Sequence, residues 1–189
     1  RDKAVNAFEV NTVPSPQPYG KWENVQVIVD SGACNHVGPL ELGKDFPLLE
    51  TNASRDGQCF SGADGSKMRN LGCKDIFATT DFGDRLGARI QIAEKVKRTL
   101  LSVGKLVDSG NLVVFDNEKS YIYNKAAQET TAIYRENVVY KMNPWIPRSQ
   151  SDPFSTTTGK TIMSTSNDAD EEEVTKCGEH HTDVQCKTC

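Results

Sequence analysis

A short apolar strand that runs directly into a carboxylate is the feature that most constrains the fold of this chain. Residues Val25–Val29 form an apolar, mostly β-branched run, which is typical of a strand. Asp30, Ser31 and Gly32 follow without a spacer, and these residue types favour a tight turn. The sequence therefore predicts a strand whose end presents a carboxylate on a turn.

A carboxylate in this position acquires acid–base chemistry when a second carboxylate lies close enough to share a proton with it. Two such groups together can activate a water molecule. A second Asp-Ser-Gly triplet begins at Asp108, but it follows a helical pattern and precedes a helix-stopping glycine. The sequence therefore favours a partner carboxylate from another copy of the chain, with Asp30 of each subunit beside a twofold axis.

Composition indicates one folded domain with polar ends. The chain has 189 residues, 37% of them hydrophobic, and a formal net charge of −4. Five acidic residues between Asp168 and Glu173 account for this charge and leave the body nearly neutral. The one short basic run, Lys95–Arg98, lacks interleaved aromatic residues, so we expect no nucleic-acid partner.

The boundaries follow from these shifts in composition. We predict a linker over residues 1–20 and a folded domain over 21–145, with its core at about 25–115. A disordered acidic and Ser/Thr-rich linker is expected over 146–176, followed by a Cys/His-rich tail over 177–189.

Cysteine usage and hydropathy bear on location. No apolar stretch is long enough to span a bilayer, and residues 1–20 lack the apolar core of a signal peptide. Three cysteines fall in the body and three in the tail, and an odd number in each part is a poor disulfide framework. We therefore expect an intracellular protein in a reducing compartment, cytoplasmic and without a membrane partner.

Strand signals dominate the body and predict a mostly β domain. Six short runs rich in β-branched or aromatic residues are separated by Gly, Asn or Asp: Val25–Val29, Asp75–Thr80, Leu86–Ile92, Leu112–Phe115, Tyr121–Tyr123 and Val138–Met142. Ala63-Asp64-Gly65 predicts a hairpin turn. Leu100–Val107 predicts the one short helix, with Gly110 placed to stop it.

Four blocks occur in the order and spacing of a known family. They are Val27–His36 with its Asp-Ser-Gly-Ala motif, Ala63-Asp64-Gly65 followed by Leu71–Ile76, Leu100–Leu106, and Gly110–Phe115. Together they resemble the protease segment of a Copia-type retrotransposon polyprotein, a retropepsin-like aspartic protease. Thr99 stands where the family often has Asn, and residues 133–140 resemble the region before integrase more weakly. On this comparison the domain ends near Phe115 or continues to about Trp145.

The resemblance implies a small, closed, barrel-like retropepsin fold that is homodimeric. It implies an aspartic endopeptidase that activates water between two Asp30 carboxylates at mildly acidic pH, without a covalent intermediate or a cofactor. Ser31 is expected to brace the loop across the dimer, and Gly32 to permit close backbone approach to the carboxylates. Ala33 is expected to contact substrate or to pack beneath the loop. The simplest polypeptide substrate is the parent polyprotein.

The same comparison suggests a flap around residues 60–65. A hairpin over the carboxylates would exclude water and hold an extended peptide by backbone hydrogen bonds. An ordinary surface hairpin is the alternative. The candidate substrate-binding residues are Phe60, Ser61, Gly62, Ala63, Asp64 and Gly65.

Cys34 and His36, in the first block, are interpreted as structural residues. A nucleophilic cysteine needs an oriented base, and no third group is evident beside His36, so we interpret Cys34 as a small buried residue. His36 matches the family pattern, and we expect it to be structural.

The C-terminal tail contains candidate zinc ligands in paired spacing, namely Cys177, His180, Cys186 and Cys189. A zinc site and a tail that binds no metal both remain open. Gly159-Lys160-Thr161 resembles the end of a phosphate-binding loop, but Phe154 replaces the earlier glycine, so we reject nucleotide binding.

A non-catalytic, retropepsin-like module for dimerisation or peptide binding is the competing function. The intact Asp30, Ser31 and Gly32 favour the enzyme.

Overall fold

The computed structural model describes residues 21–148 and 162–164, and the prediction of a mostly β chain is confirmed. The strands are β1 (Trp22–Asn24), β2 (Val27–Asp30), β3 (Val37–Gly38), β4 (Cys59–Ser61), β5 (Lys67–Thr79), β6 (Arg85–Ala93), β7 (Thr99–Ser102), β8 (Asn111–Val114), β9 (Ser120–Asn124), β10 (Glu129–Glu136), β11 (Val139–Met142), β12 (Trp145–Pro147) and β13 (Ile162–Ser164). The helices are α1 (Asn52–Arg55) and α2 (Val103–Asp108).

The strands form one open sheet. Its order is β1-β12-β5-β6-β3-β7-β2-β11-β10-β9-β8, with β4 added to β5 and β13 added to β6. At the two ends of the sheet, β1 pairs antiparallel with β12 and β8 pairs antiparallel with β9. Since the two end strands do not pair with each other in the described part of the chain, the expectation of a closed sheet is wrong there.

All six predicted strands exist. Five have ends that shift by at most two residues, whereas the strand predicted at Asp75–Thr80 begins eight residues earlier, at Lys67. The two longest predictions lie inside the β5–β6 hairpin, which pairs from Asn70 to Thr79 on β5. The strand predicted from Val138 begins one residue later, because Asn137 and Val138 form the β10–β11 turn with φ of 49° and 68°.

The sequence does not predict β1, β3, β12 and β13, since two or three residues carry too little periodicity. It also misses β10, which has eight residues but only two buried apolar or β-branched positions, Thr131 and Ile133.

The predicted helix at Leu100–Val107 starts later than expected. Leu100 and Leu101 belong to β7, where they pair with β2 in parallel. The hydroxyl of Ser102 then accepts a hydrogen bond from the Lys105 amide (3.2 Å) and caps α2. Gly110 follows the helix with φ of 83°, as expected of a stop.

A second short helix, α1, corrects the prediction of a single helix. It is capped by a reciprocal pair in which the Thr51 hydroxyl accepts from the Ser54 amide (3.1 Å) and the Ser54 hydroxyl accepts from the Thr51 amide (3.0 Å). Ser at the N3 position of such a box is less usual than Glu or Gln, so the sequence signal was weak.

Two buried apolar clusters form the core. The first contains Leu42, Phe46, Ile76, Ala78, Ile90, Ile92 and Ile146, and the second contains Val27, Val29, Leu106, Ile122, Ile133 and Met142. Leu86 and Leu101 pack against both clusters. An apolar cavity of about 70 Å³ is lined by residues of both clusters. The strand that ends in Asp30 is therefore anchored in the core.

The sheet continues beyond Phe115 through Pro147. Strand β13 lies within the range 146–176, for which the sequence predicts a disordered linker, and its backbone pairs in parallel with β6. The predicted linker over 1–20, the rest of 146–176 and the tail over 177–189 lie outside the described residues.

The two helices of the described residues, α1 and α2, have four and six residues, so neither could span a bilayer.

Candidate active site

Asp30 is the last residue of a strand held on both sides. β2 pairs in parallel with β7, where Asp30 lies opposite Ser102, and antiparallel with β11, where Val29 lies opposite Tyr140. Val27 and Val29 are buried, so a one-residue slip would move both to the other face of the sheet. Pairing and burial together fix the position of the carboxylate.

The predicted turn forms at Asp30. Its Oδ1 atom accepts a hydrogen bond from the Gly32 amide at 2.8 Å, which closes an Asx turn. Asp30 is half-buried, whereas Ser31 and Gly32 are exposed and Ala33 is half-buried. One subunit therefore presents the carboxylate at the base of an exposed loop.

Contacts among the described residues do not require a glycine at position 32. Its φ lies outside the positive region, and a Cβ there would meet only Asp30 Oδ1, at 3.4 Å. A methyl group therefore fits this loop without backbone strain in a single copy. Any strict need for glycine would come from a group other than the described residues of this chain.

Asp108 occupies a different setting. It is the exposed last residue of α2, not the end of a strand. The sequence predicts that Asp30 follows a strand and that Asp108 follows a helix. The structure confirms that Asp108 ends a helix.

His36 has a defined structural contact that the sequence did not reveal. Its Nδ1 atom accepts a hydrogen bond from the Ser102 amide at 3.0 Å, and its side chain is 4% exposed. Burial, assisted by the positive charge of Lys105, lowers the pKa of His36 from 6.5 to about 4. His36 is therefore neutral near pH 7, as an Nδ1 acceptor must be.

This contact links the candidate catalytic loop to the strand beside it. Ser102 lies opposite Asp30 in the β2–β7 register and also caps α2. The backbone carbonyl of His36 accepts a hydrogen bond from the Gln91 amide of β6 (2.9 Å). His36 thus positions the far end of the loop against β6 and β7, and Ser102 is a positioning residue absent from the sequence prediction.

Cys34 is exposed and carries a free thiol, so the interpretation of a small buried residue is wrong. By contrast, His36, two residues later, is buried. Because Nδ1 of His36 is already engaged by Ser102, His36 is poorly placed to activate this thiol.

The predicted hairpin around 60–65 is present. β4 pairs with β5 from Cys59 opposite Arg69 to Ser61 opposite Lys67. Within the turn, the Ser66 amide donates to Asp64 Oδ1 at 2.9 Å, and Gly65 has φ of 77°. Hydrogen bonds from Ser66 lower the pKa of the Asp64 carboxyl below its usual value.

The hairpin is anchored at its base and exposed at its tip. The Asn70 side chain donates to Gln91 Oε1 (3.1 Å) and accepts from the Gly72 amide (2.8 Å). The Glu94 amide donates to the Arg69 carbonyl (3.0 Å). Phe60 and Gly62 are half-buried, whereas Ser61, Ala63, Asp64 and Gly65 are exposed.

The four candidate zinc ligands Cys177, His180, Cys186 and Cys189 lie outside the described residues. Over 21–148 and 162–164, no group of three or more His, Cys, Asp or Glu side chains is arranged to hold a metal ion.

No protein-family model, curated protein or solved structure matches this chain. The functional assignment therefore depends on the residues and geometry given above.

Proposed function

We propose that this chain is a retropepsin-like aspartic endopeptidase, the protease segment of a Copia-type retrotransposon polyprotein, and that it acts as a homodimer. The observation that carries the proposal is the Asp30 turn. A carboxylate ends a strand anchored in the core, and the exposed loop that follows is free to face the same loop of a second copy. An isologous dimer is the simplest source of the second carboxylate.

In the proposed dimer the two Asp30 carboxylates share one proton. The ionised carboxylate takes a proton from a water molecule as the water oxygen attacks the carbonyl carbon of the peptide. The protonated carboxyl donates a hydrogen bond to the carbonyl oxygen. The tetrahedral intermediate collapses when a proton reaches the amide nitrogen and the C–N bond breaks.

The hairpin of β4 and β5 supplies the proposed flap. Its base is tied to β6 and its tip is exposed, which suits a lid that closes over an extended peptide. Backbone groups of residues 60–65 would bind the substrate as an added strand. The parent polyprotein is the proposed substrate, and the chemistry requires no metal.

The first experiment measures cleavage of a longer parent-like polypeptide between pH 4 and 7 at several protein concentrations. Asp30→Asn keeps an oxygen that accepts the Gly32 hydrogen bond but removes the titratable group. We expect cleavage to vanish in this variant, and to persist in the control Asp108→Asn, whose carboxylate is exposed at the end of a helix. Cleavage by purified Asp30→Asn protein would refute the assignment.

Gly32→Ala tests the dimer separately. Because a Cβ at Gly32 meets only Asp30 Oδ1 at 3.4 Å, we expect the monomer to keep its thermal stability. We expect dimerisation and cleavage to fall together, because the added methyl group obstructs a second copy. Full dimerisation and activity in Gly32→Ala would contradict a loop-to-loop dimer. A wild-type dimer without cleavage would favour the non-catalytic binding module.

A further inference from the structure

The two edges of β6 are occupied differently. β5 pairs along one edge from Arg85 to Ala93. The other edge is shared by two short strands, both parallel to β6: β3 at Gln91 and Ile92, and β13 at Leu86–Ala88. β13 pairs with no other strand in the described part of the chain.

The segment that occupies this edge comes from a region with few apolar residues. Ile162 and Met163 stand in a stretch otherwise rich in Ser and Thr. Ile162 lies opposite Leu86, Met163 opposite Gly87 and Ser164 opposite Ala88. Three residues in a parallel ladder make few hydrogen bonds, so this attachment depends on the tether that keeps the segment close.

The receiving stretch of β6 adjoins the apolar cavity. Leu86, Gly87 and Ala88 all line that cavity of about 70 Å³, and they are the same residues that pair with β13. Leu86 and Ala88 are only half-buried, although both pack against the first core cluster. A strand added at this edge is thus placed beside apolar surface, which favours apolar side chains in the ligand.

We propose that the edge of β6 at Leu86–Ala88 is a strand-addition site for an extended apolar peptide, and that residues 162–164 of the same chain are its intramolecular occupant. Open strand edges bind peptides through backbone hydrogen bonds, and neighbouring side-chain surface selects the sequence. The site accepts a short parallel strand of the Ile-Met type when its own segment is released. This proposal does not depend on the chemistry at Asp30.

The test uses the full chain with both Ile162 and Met163 replaced by Pro. Amides of adjacent strand residues point to opposite edges, so the double change removes a ladder donor whichever amide faces β6. The matched control replaces Thr156 and Thr157 by Pro, outside β13. Circular dichroism verifies that both variants fold.

Binding of a fluorescent peptide covering residues 158–167 is then measured by anisotropy. We expect the Ile162→Pro/Met163→Pro variant to bind it at least tenfold more tightly than the wild-type chain or the control. The same peptide with both prolines should not bind. Hydrogen exchange at Leu86–Ala88 should speed up in the variant and slow again when the peptide is added.

Equal affinity of the peptide for the variant and the wild-type chain would overturn the proposal. Peptide binding that leaves exchange at Leu86–Ala88 unchanged would also overturn it. Loss of a wild-type dimer in the double-proline variant would show that the occupant comes from a second copy, which contradicts the intramolecular assignment.

Discussion

Acidification from pH 7 to pH 4 should cost the folded chain about 3 kcal/mol through His36 alone. His36 is buried, and its pKa falls from 6.5 to about 4 on folding. The unfolded chain therefore binds a proton on this residue below about pH 6.5, whereas the folded chain resists doing so until about pH 4. Stability is lost progressively as the pH falls through this window.

The magnitude follows from linkage between the two pKa values. With 6.5 in the unfolded state and about 4 in the folded state, the loss is about 2 kcal/mol at pH 5 and about 3 kcal/mol at pH 4. Protonation of Nδ1 would also remove the acceptor for the Ser102 amide. The folded state resists the proton because of desolvation first and the positive charge of Lys105 second.

Urea unfolding at pH 7, 6, 5 and 4 measures this effect, with His36→Asn as the matched variant. The Asn amide oxygen can take the place of Nδ1 as the acceptor for Ser102, but Asn does not titrate. We expect the variant to be less stable at pH 7, because ring packing is lost, and to lose about 2 kcal/mol less than the wild type between pH 7 and 5.

Carboxylates with lowered pKa values, such as those of Asp64 and Glu136, change the stability of the wild type and of His36→Asn by the same amount at each pH. They cancel in the difference between the two pH profiles. Parallel profiles for the wild type and His36→Asn would refute the buried, neutral histidine.

Two further predictions concern stability. Val138 is a β-branched residue at φ of 68° in an exposed turn, so Val138→Gly should stabilise the fold by about 1 kcal/mol. Thermal unfolding checks this, and Val139→Gly, in the adjoining strand, should destabilise instead. Thr131 has a buried hydroxyl without a hydrogen-bond partner within the described residues, so Thr131→Val should raise stability by about 1 kcal/mol. The exposed Thr130→Val should change it little, and a destabilised Thr131→Val would show that the hydroxyl has a partner.

The sequence was most informative where local pattern and long-range pairing agree. The β-branched run before Asp30 forms β2, and Gly65 takes the positive φ that the hairpin turn requires. The predicted helix begins three residues later than Leu100, because the spacing of the apolar residues from Leu100 onward suits a strand as well as a helix. Pairing with β2, some seventy residues earlier in the chain, selected the strand, and no local signal reports such a partner.

Long-range contacts also limited what could be foreseen at the site. His36 and Ser102 are 66 positions apart, so their hydrogen bond leaves no mark in either local sequence. Lys74 is similar, because a lysine in a strand predicts exposure, yet it is 3% exposed. Its Nζ donates to the carbonyls of Leu40 and Leu42 at 2.9 Å and of Gly43 at 3.2 Å. These three carbonyls lie more than thirty positions away in the sequence, and their hydrogen bonds offset the cost of burying the ammonium group.

The single chain accounts for the position of Asp30 but not for the whole Asp-Ser-Gly triplet. Pairing with β7 and β11 places the carboxylate, and the Gly32 amide orients it. Ser31 and Gly32 are exposed, and packing among the described residues requires neither a hydroxyl nor a glycine at these positions. In the homodimer proposed above, the same loop of a second copy would face these two residues. If the proposed homodimer forms, the site is completed only by a second copy, and dimerisation is the first step to test when deciding between the proposed enzyme and a binding module.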